Sequence, residues 1–119
     1  MKTLTGRITC SVEGKTINPN AKIEIQIRDV SIMDRASKLL HGIELTGKTE
    51  FPIDFKMEFD DTKIRENPHF DFALSVSIET DGNLDYITDT RFDVTKGRGS
   101  GVVLDHIDLF VIPVVPYNP

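Results

Sequence analysis

The stretch FPIDFKMEF, residues 51–59, places an apolar residue at every second position. The residues between them at 54, 56 and 58 are charged. Because successive side chains of a β-strand point to opposite faces, this period of two predicts a strand with one buried and one solvated face. The apolar members are Phe51, Ile53, Phe55, Met57 and Phe59.

The same alternation recurs in AKIEIQIRDV at 21–30 and in FDFALSVSIE at 70–79. Weaker patterns predict further strands at 4–12, 39–47, 86–94 and 102–114. Turn-forming sequences such as NPN, TGK, DGN and KGRGSG separate them,. Seven short strands with this spacing predict an all-β protein, a single antiparallel β-sandwich.

Helix is predicted only as short turns at 35–40 and 62–66, each preceded by an Asp that could cap it,. The tail at 113–119 contains three prolines and is expected to be loosely ordered,. We expect the core to contain Ile8, Ile23, Ile25, Ile27, Phe51, Ile53, Phe55, Met57, Phe72, Leu74, Val76, Ile78, Phe92 and Val94.

Length and charge restrict the possible roles. The chain has 119 residues, which predicts one domain over residues 1–119,. Its 14 basic and 19 acidic residues give a net charge of -5 without a basic cluster. Because phosphate backbones are bound by clustered Lys and Arg, nucleic acid and anionic membranes are poor candidates.

The sequence contains no apolar run of the length, about 18 residues, that a membrane-spanning helix needs,. The opening MKTLTGRITC lacks the apolar core of a signal peptide,. As written the chain is predicted to be soluble and cytoplasmic, or periplasmic or in the cell envelope if a leader was removed.

No motif indicates catalysis or a cofactor. Cys10 alternates with Ile8 and Val12 on the predicted core face, where a free cysteine behaves as a small hydrophobe,. The histidines are His41, His69 and His106. They are far apart in sequence and form no recognisable ligand pair. We therefore predict no catalytic, cofactor-binding or metal-binding residues.

Aspartates at the ends of the predicted strands leave calcium binding as an alternative function, since calcium takes oxygen ligands that such loops often supply. The candidates are Asp29, Asp34, Asp60, Asp61, Asp81, Asp85, Asp89, Asp93, Asp105 and Asp108. No loop shows the dense Asp-x-Asp-x-Asp spacing of a dedicated calcium loop.

In IRDVSIMDRAS, residues 27–37, the alternation stops. Continued alternation would turn Asp29 inward, where an unpaired carboxylate is costly. We predict that the strand ends there with Asp29 accepting hydrogen bonds from nearby backbone N–H groups, and that Asp34 caps a helical turn.

Several short motifs occur in a fixed order along residues 4–112. A turn with Pro precedes A-x-I-x-I-x-I-x-D-V-S, a P-I-x-F strand follows a Gly-containing segment, and D-G-x-L precedes T-D-T-x-x-x-V. These positions are Pro19, Ala21, Asp29, Val30, Ser31, Asp34, Pro52, Ile53, Phe55, Ile64, Ala73, Asp81, Gly82, Leu84, Thr88, Asp89, Thr90 and Val94. In the order and spacing of these motifs, the chain resembles the YbaY/YscW lipoprotein family, which is of the type III secretion pilotin type.

The resemblance implies a transthyretin-like β-sandwich without catalytic activity. Members look like periplasmic or outer-membrane lipoproteins, and the pilotin branch binds a secretin subunit and helps it reach the outer membrane. Cys10 lies inside a predicted strand and is not expected to carry a lipid.

We therefore predict a non-catalytic binding or chaperone-like module. It would hold a peptide or protein partner along a free edge strand or in an apolar groove, because an unpaired edge offers N–H and C=O groups to an added strand. The calcium-binding module is the alternative, and an enzyme is not indicated.

Overall fold

The computed structural model describes residues 1–31, 38–97 and 100–114. These residues form eight strands and one five-residue helix, which confirms the all-β class. The elements are β1 (Lys2–Cys10), β2 (Lys22–Asp29), β3 (Lys38–Leu45), β4 (Ile53–Phe59), α1 (Thr62–Glu66), β5 (Phe72–Thr80), β6 (Asn83–Ile87), β7 (Phe92–Asp93) and β8 (His106–Pro113).

The strands follow one hydrogen-bonded path in the order β3-β2-β5-β6-β8-β1-β4, and β7 pairs with β5 beside β6. The division into two sheets that a sandwich requires is not evident in this path, and a transthyretin-like arrangement stays a prediction. The prediction of an all-antiparallel sheet is wrong at one place, because β1 and β8 run parallel.

The sheet curls so that its two edge strands approach each other. His41 on β3 lies with its ring centroid 5.8 Å from that of Phe59 on β4. The strands β6 and β8 join the two halves through only two residue pairs, Tyr86↔Pro113 and Ile87↔Ile112. The described sheet therefore resembles a barrel that is nearly closed around one core.

The predicted core is confirmed at every position except Phe51 and Phe92, which are half-buried and pack against it. Residues outside that predicted list complete the core: Leu4, Ile17, Ala21, Phe59, Ile64, Tyr86, Val103, Ile107, Leu109 and Val111. Cys10 is half-buried at the end of β1, whereas Val12 is exposed and does not lie on the core face as predicted.

Several strand bounds differ from the prediction. The strand expected at 4–12 ends at Cys10, and the strand expected at 102–114 begins at His106. The strand expected at 70–79 begins at Phe72, and Phe70 is exposed. The strand expected at 86–94 is split into β6 and β7 because the hydroxyl of Thr88 accepts the N–H of Val76, at 3.2 Å, in place of a backbone carbonyl.

The helical turn predicted at 35–40 is wrong at Lys38–Leu40, which begins β3, while Asp34 and residues 35–37 lie outside the described residues. The helix at 62–66 is confirmed. Pro113, expected to be loosely ordered, lies in β8, and the N–H of Val114 donates to the carbonyl of Asp85 at 2.9 Å. Residues 115–119 lie outside the described residues.

Candidate partner-binding site

A cleft of about 250 Å³ opens at one end of the sheet, between the start of β3 and α1. It is lined by Asp29, Lys38, Leu39, Leu40, Lys63, Asn67, Phe70 and Phe72. Two of these are large apolar side chains that remain in contact with solvent, since Leu39 is 54% exposed and Phe70 is 47% exposed. This pair distinguishes the cleft as a candidate binding site.

A β-bulge places Leu39 in the cleft. Ile27 pairs with His41 but Arg28 pairs with Leu39, so Leu40 is an extra residue in β3. Regular alternation from the inward-facing His41 would have turned Leu39 toward the core. The bulge moves Leu39 to the outward face instead, as bulges next to binding sites commonly do.

Helix α1 and the turn after it position Phe70. Ile64 is fully buried and fixes the helix to the core. The side-chain amide of Asn67 donates to the carbonyl of Lys63 at 2.8 Å, and the carbonyl of Asn67 accepts the N–H of Phe70 at 2.9 Å. Phe70 is therefore held beside the cleft by the backbone.

The end of β2 forms the floor of the cleft, and there the prediction for Asp29 is confirmed. The strand ends at this residue, and its carboxylate accepts the backbone N–H of Ser31 at 3.0 Å and also the Ser31 hydroxyl. The N–H of Val30 donates to the carbonyl of Asp71 at 2.8 Å and ties this end to the start of β5.

Among the described residues that line the cleft and its rim, the exposed charges are cationic. Lys38 and Lys63 are both exposed there, and Asp29, the one acidic residue of this described set, already accepts hydrogen bonds from Ser31. In a chain with a net charge of -5, this rim is complementary to an acidic partner,.

Sequence reasoning missed the cleft because both of its exposed apolar residues were read as parts of regular strands. The dipeptide Asn67-Pro68 is a turn signal that could have separated Phe70 from the strand that follows,. The doublet Leu39-Leu40 breaks strict alternation and is the sequence signal of the bulge,.

The candidate aspartates do not gather around one point. In the described part of the chain, no three His, Cys, Asp or Glu side chains lie close enough to hold a metal ion. Most of the candidates contact other protein groups: Asp60 with Thr62, Asp61 with Arg65, Asp85 with Thr80, Asp93 with Arg91, Asp105 with Lys2 and Asp108 with His106. Asp81 and Asp89 are exposed, and Asp34 lies outside the described residues.

Two of these contacts lower the pKa of a carboxyl group. Hydrogen bonds from the hydroxyl and backbone N–H of Thr62 lower the pKa of Asp60. The ammonium group of Lys2 likewise lowers the pKa of Asp105. Both carboxylates are thereby stabilised in their charged form as parts of the fold.

The three histidines lie apart. His41 is half-buried on β3, and His69 is exposed in the turn before β5. His106 is hydrogen-bonded through Nδ1 to the hydroxyl of Thr5 at 2.9 Å and through Nε2 to Asp108 at 3.0 Å. This line of polar groups lies on the exposed outer face of β1 and β8.

Cys10, the last residue of β1, lines a second cleft of about 220 Å³ together with Phe51 and Pro52. A third cleft of about 320 Å³ lies nearby, where the Tyr86 hydroxyl donates to the carbonyl of Thr16 at 2.7 Å. Neither contains a pair of exposed large apolar side chains like Leu39 and Phe70.

Comparison with known proteins gives a family and a fold. In its solved structure, an alternative pilotin from the type II secretion system of Vibrio cholerae is similar to this chain, with a TM-score of 0.80 and 24% identity over 97% of this chain and 98% of that chain. At this identity the likeness shows a shared fold. A search of curated proteins finds no match.

No helix in the described ranges is long and apolar enough to cross a membrane. A family model described as type III secretion system lipoprotein chaperone (YscW) matches residues 1–105, which is most of the sequence. The chain therefore belongs to the YscW family of type III secretion lipoprotein chaperones.

Proposed function

We propose that this chain is a non-catalytic secretion chaperone that holds an apolar segment of a secretin subunit in the cleft between β3 and α1. The observation that carries the proposal is the pair of exposed side chains, Leu39 and Phe70, that line one cleft. Exposed apolar side chains grouped in a concave site are typical of protein-binding surfaces.

The position of the cleft supports the same role. It lies at the start of β3, an edge strand whose outer side has no paired strand among the described residues. An extended partner segment can place an apolar side chain in the cleft while its backbone lies beside this edge. Family membership and the fold shared with a pilotin favour a secretion protein as the partner.

The cationic rim adds selectivity to this role. Lys38 and Lys63 would favour a segment whose apolar residues are flanked by Asp or Glu, since complementary charge steers encounter and suppresses wrong partners,. No chemical step is needed for such holding, so the proposed role requires no catalytic group.

The test is co-purification of the tagged chain with the secretin subunit of the same secretion system. We expect the double variant Leu39→Ser/Phe70→Ser to lose most of the bound secretin, since both apolar contacts in the cleft are removed. Binding is measured as the amount of secretin retained per chain, and mass spectrometry of the retained proteins identifies any other partner.

The chain offers a matched control for this variant. Leu84 is 48% exposed and Phe110 is 50% exposed, and neither lines the cleft. Leu84→Ser/Phe110→Ser should keep secretin binding, and both double variants should unfold at the temperature of the unmodified chain. Equal retention by the two double variants would contradict the proposed site.

A further inference from the structure

A second leucine is turned to solvent by a β-bulge, at the far end of β5 from the partner-binding cleft. Ile78 pairs with Tyr86 but Glu79 pairs with Leu84, so Asp85 is an extra residue in β6. Regular alternation from the buried Tyr86 would have turned Leu84 toward the core. The bulge instead leaves Leu84 48% exposed, beside Glu79 on the outer face of the hairpin,.

The hairpin that carries Leu84 is tight and stands clear of the rest of the protein. Its two turn residues, Asp81 and Gly82, both have positive φ angles, of 51° and 85°. This geometry is typical of a two-residue hairpin turn with the sequence Asp-Gly. A Cβ at Gly82 would meet no atom within 4 Å, and the hydroxyl of Thr80 donates to Asp85 at 2.6 Å. Residues 79–84, the hairpin tip, therefore form a preformed projection with an exposed leucine.

The surroundings of Leu84 are acidic on the side of the turn. Glu79 lies beside Leu84 across the hairpin, and Asp81 is exposed at the turn itself. Lys22 pairs with Glu79 on its far side, two strand spacings or about 10 Å from the strand of Leu84,. Within the described ranges, the Asp81 carboxylate has no ion-pair or hydrogen-bond partner. Leu84 is thus an apolar residue flanked by acidic side chains, one of which is unpaired.

The partner-binding cleft is complementary to this tip. Its exposed apolar side chains are Leu39 and Phe70. Lys38 and Lys63 also line it, and neither has an ion-pair partner among the described residues. Glu66, the exposed acidic residue of α1, does not line it. A cavity of about 150 Å³ is large enough to bind benzene, so this cleft of about 250 Å³ has room for a leucine side chain.

The cleft and the hairpin tip lie at opposite ends of β5. Phe72, the first residue of β5, lines the cleft, and the turn of the tip follows its last residue, Thr80. The nine residues of this strand span about 30 Å,. One chain therefore cannot fill its own cleft, and a second copy is needed to bring a hairpin tip to it.

We propose that the cleft of one copy of this chain binds the hairpin tip of a second copy, with Leu84 packed against Leu39 and Phe70. An exposed apolar residue that fits a pocket elsewhere on the same molecule makes a contact between two different patches. The cleft is then shielded in the free protein until a secretion partner displaces the tip. This consequence rests on the proposed function, whereas the contact between copies does not.

The experiment is sedimentation velocity of the purified chain, without secretin, over a series of rising protein concentrations. The sedimentation coefficient should rise with concentration, and less so at high salt, because exposed charges are screened. Leu84→Ser and Leu39→Ser/Phe70→Ser should each raise the dissociation constant of self-association about tenfold or more, since each removes apolar surface from the contact. Phe110→Ser, which changes a similarly exposed side chain outside both surfaces, should leave the constant unchanged.

A mixture of two variants tests whether the two surfaces bind each other. Leu84→Ser keeps an intact cleft, and Leu39→Ser/Phe70→Ser keeps an intact hairpin tip. Each variant alone should stay monomeric at concentrations at which the unmodified chain associates. An equimolar mixture should form a complex that contains one copy of each variant.

Asp81→Asn tests the charge complementarity. Asparagine tolerates a positive φ angle, so the turn is kept while the charge is lost. The dissociation constant of self-association should rise about two- to fivefold, the effect of one exposed ion pair. Asp89→Asn, the same change at another exposed aspartate outside both surfaces, should have no effect.

The proposal is wrong if the unmodified chain stays monomeric at every concentration, if Leu84→Ser associates as strongly as the unmodified chain, or if the mixture stays monomeric. A cleft variant that loses secretin, in a chain that never self-associates, would reject this contact and keep the proposed function. A cleft variant that loses self-association but retains secretin would do the reverse. Thermal unfolding of each variant checks that these exposed substitutions leave the fold intact.

Discussion

Gly6 lies beneath the aromatic ring of Phe55, its partner across β1 and β4. A Cβ at this position would overlap the Phe55 ring and would lie 2.9 Å from the carbonyl oxygen of Ile107. Glycine is normally unfavourable inside a strand because it supplies no side chain to pack. Here the ring of Phe55 fills the space and covers the backbone.

Gly6→Ala should therefore destabilise the fold by about 1–3 kcal/mol, the usual cost of forcing extra volume into a packed core. The measurement is the free energy of unfolding in urea. Gly42→Ala is the matched control, since an added Cβ on this strand glycine would meet its nearest atom at 3.6 Å. A cost at Gly6 no larger than at Gly42 would show that the Phe55 ring moves aside freely.

Single residues also mark where sequence reasoning succeeded and where it failed. Asp29 was predictable because an inward carboxylate at the end of an alternating run must find donors close by, and Ser31 supplies them,. The exposure of Leu39 was not predictable from alternation, because the inserted Leu40 reverses the face of Leu39 relative to the rest of β3,.

At the level of elements, α1 is held by tertiary contact. A helix of five residues is too short to be stable alone, so its one fully buried side chain, Ile64, must fix it in place,. The ion pair between Arg65 and Asp61, at 3.2 Å, is exposed on the arginine side and adds little,. The helix in turn carries Lys63 of the partner-binding cleft.

Ile64→Ala should cost about 2–5 kcal/mol in the free energy of unfolding, since it removes a buried side chain and leaves a cavity. Urea denaturation measures this loss. On the same helix, Lys63→Ala should change stability by about 0.5 kcal/mol or less, because Lys63 is exposed,. Similar losses for the two variants would mean that α1 is not anchored through its buried face.

Strands with strict alternation were predicted close to their observed bounds. The stretch at 51–59 forms β4 over Ile53–Phe59, because its period of two matches a half-buried strand and admits no other regular structure,. The stretch at 86–94 was predicted as one strand but forms two. Apolar periodicity carries no information on whether a hydroxyl, here that of Thr88, replaces a backbone acceptor in the ladder.

Across the whole molecule, the narrow junction between β6 and β8 holds the two halves of the sheet together, and Tyr86 is its central residue. Tyr86 pairs with Pro113, its ring meets that of Phe51 edge-on at 5.1 Å, and its hydroxyl donates to the carbonyl of Thr16 at 2.7 Å. Burial raises the pKa of Tyr86, and the nearby Cys10 and Asp85 act in the same direction.

A raised pKa in the folded chain means that the unfolded chain loses the Tyr86 proton first. Stability from the neutral phenol is therefore complete below the ordinary tyrosine pKa of about 10 and is lost as the pH rises through that value and above. Tyr86→Phe should lower the free energy of unfolding by about 0.5–1.5 kcal/mol at neutral pH, because the hydrogen bond of the hydroxyl is lost. As the pH is raised into the alkaline range, the free energy of unfolding of this variant should fall less than that of the unmodified chain.

Urea denaturation of the unmodified chain and of Tyr86→Phe, at neutral and at alkaline pH, measures this difference. Other groups that titrate at high pH are common to the two chains, so their effect cancels in the comparison. If the free energy of unfolding falls equally in the two chains at alkaline pH, the pH dependence belongs to residues other than Tyr86.

The order of the strands lay beyond sequence reasoning. Alternation identifies strands and their buried faces, but it gives neither the neighbour nor the direction of each pairing. The parallel pair of β1 and β8 joins strands far apart along the chain, and no local turn signal encodes such a contact,.

That parallel pair also sets when folding can finish. Thr5 and His106, which face each other across it, are 101 residues apart. During synthesis, β4 can cover one side of β1 while the other side waits until β8 has left the ribosome. Until then the nascent chain presents an unpaired strand edge, the kind of surface that aggregates or is recognised by holding chaperones. Completion of the native sheet is thus tied to the synthesis of β8.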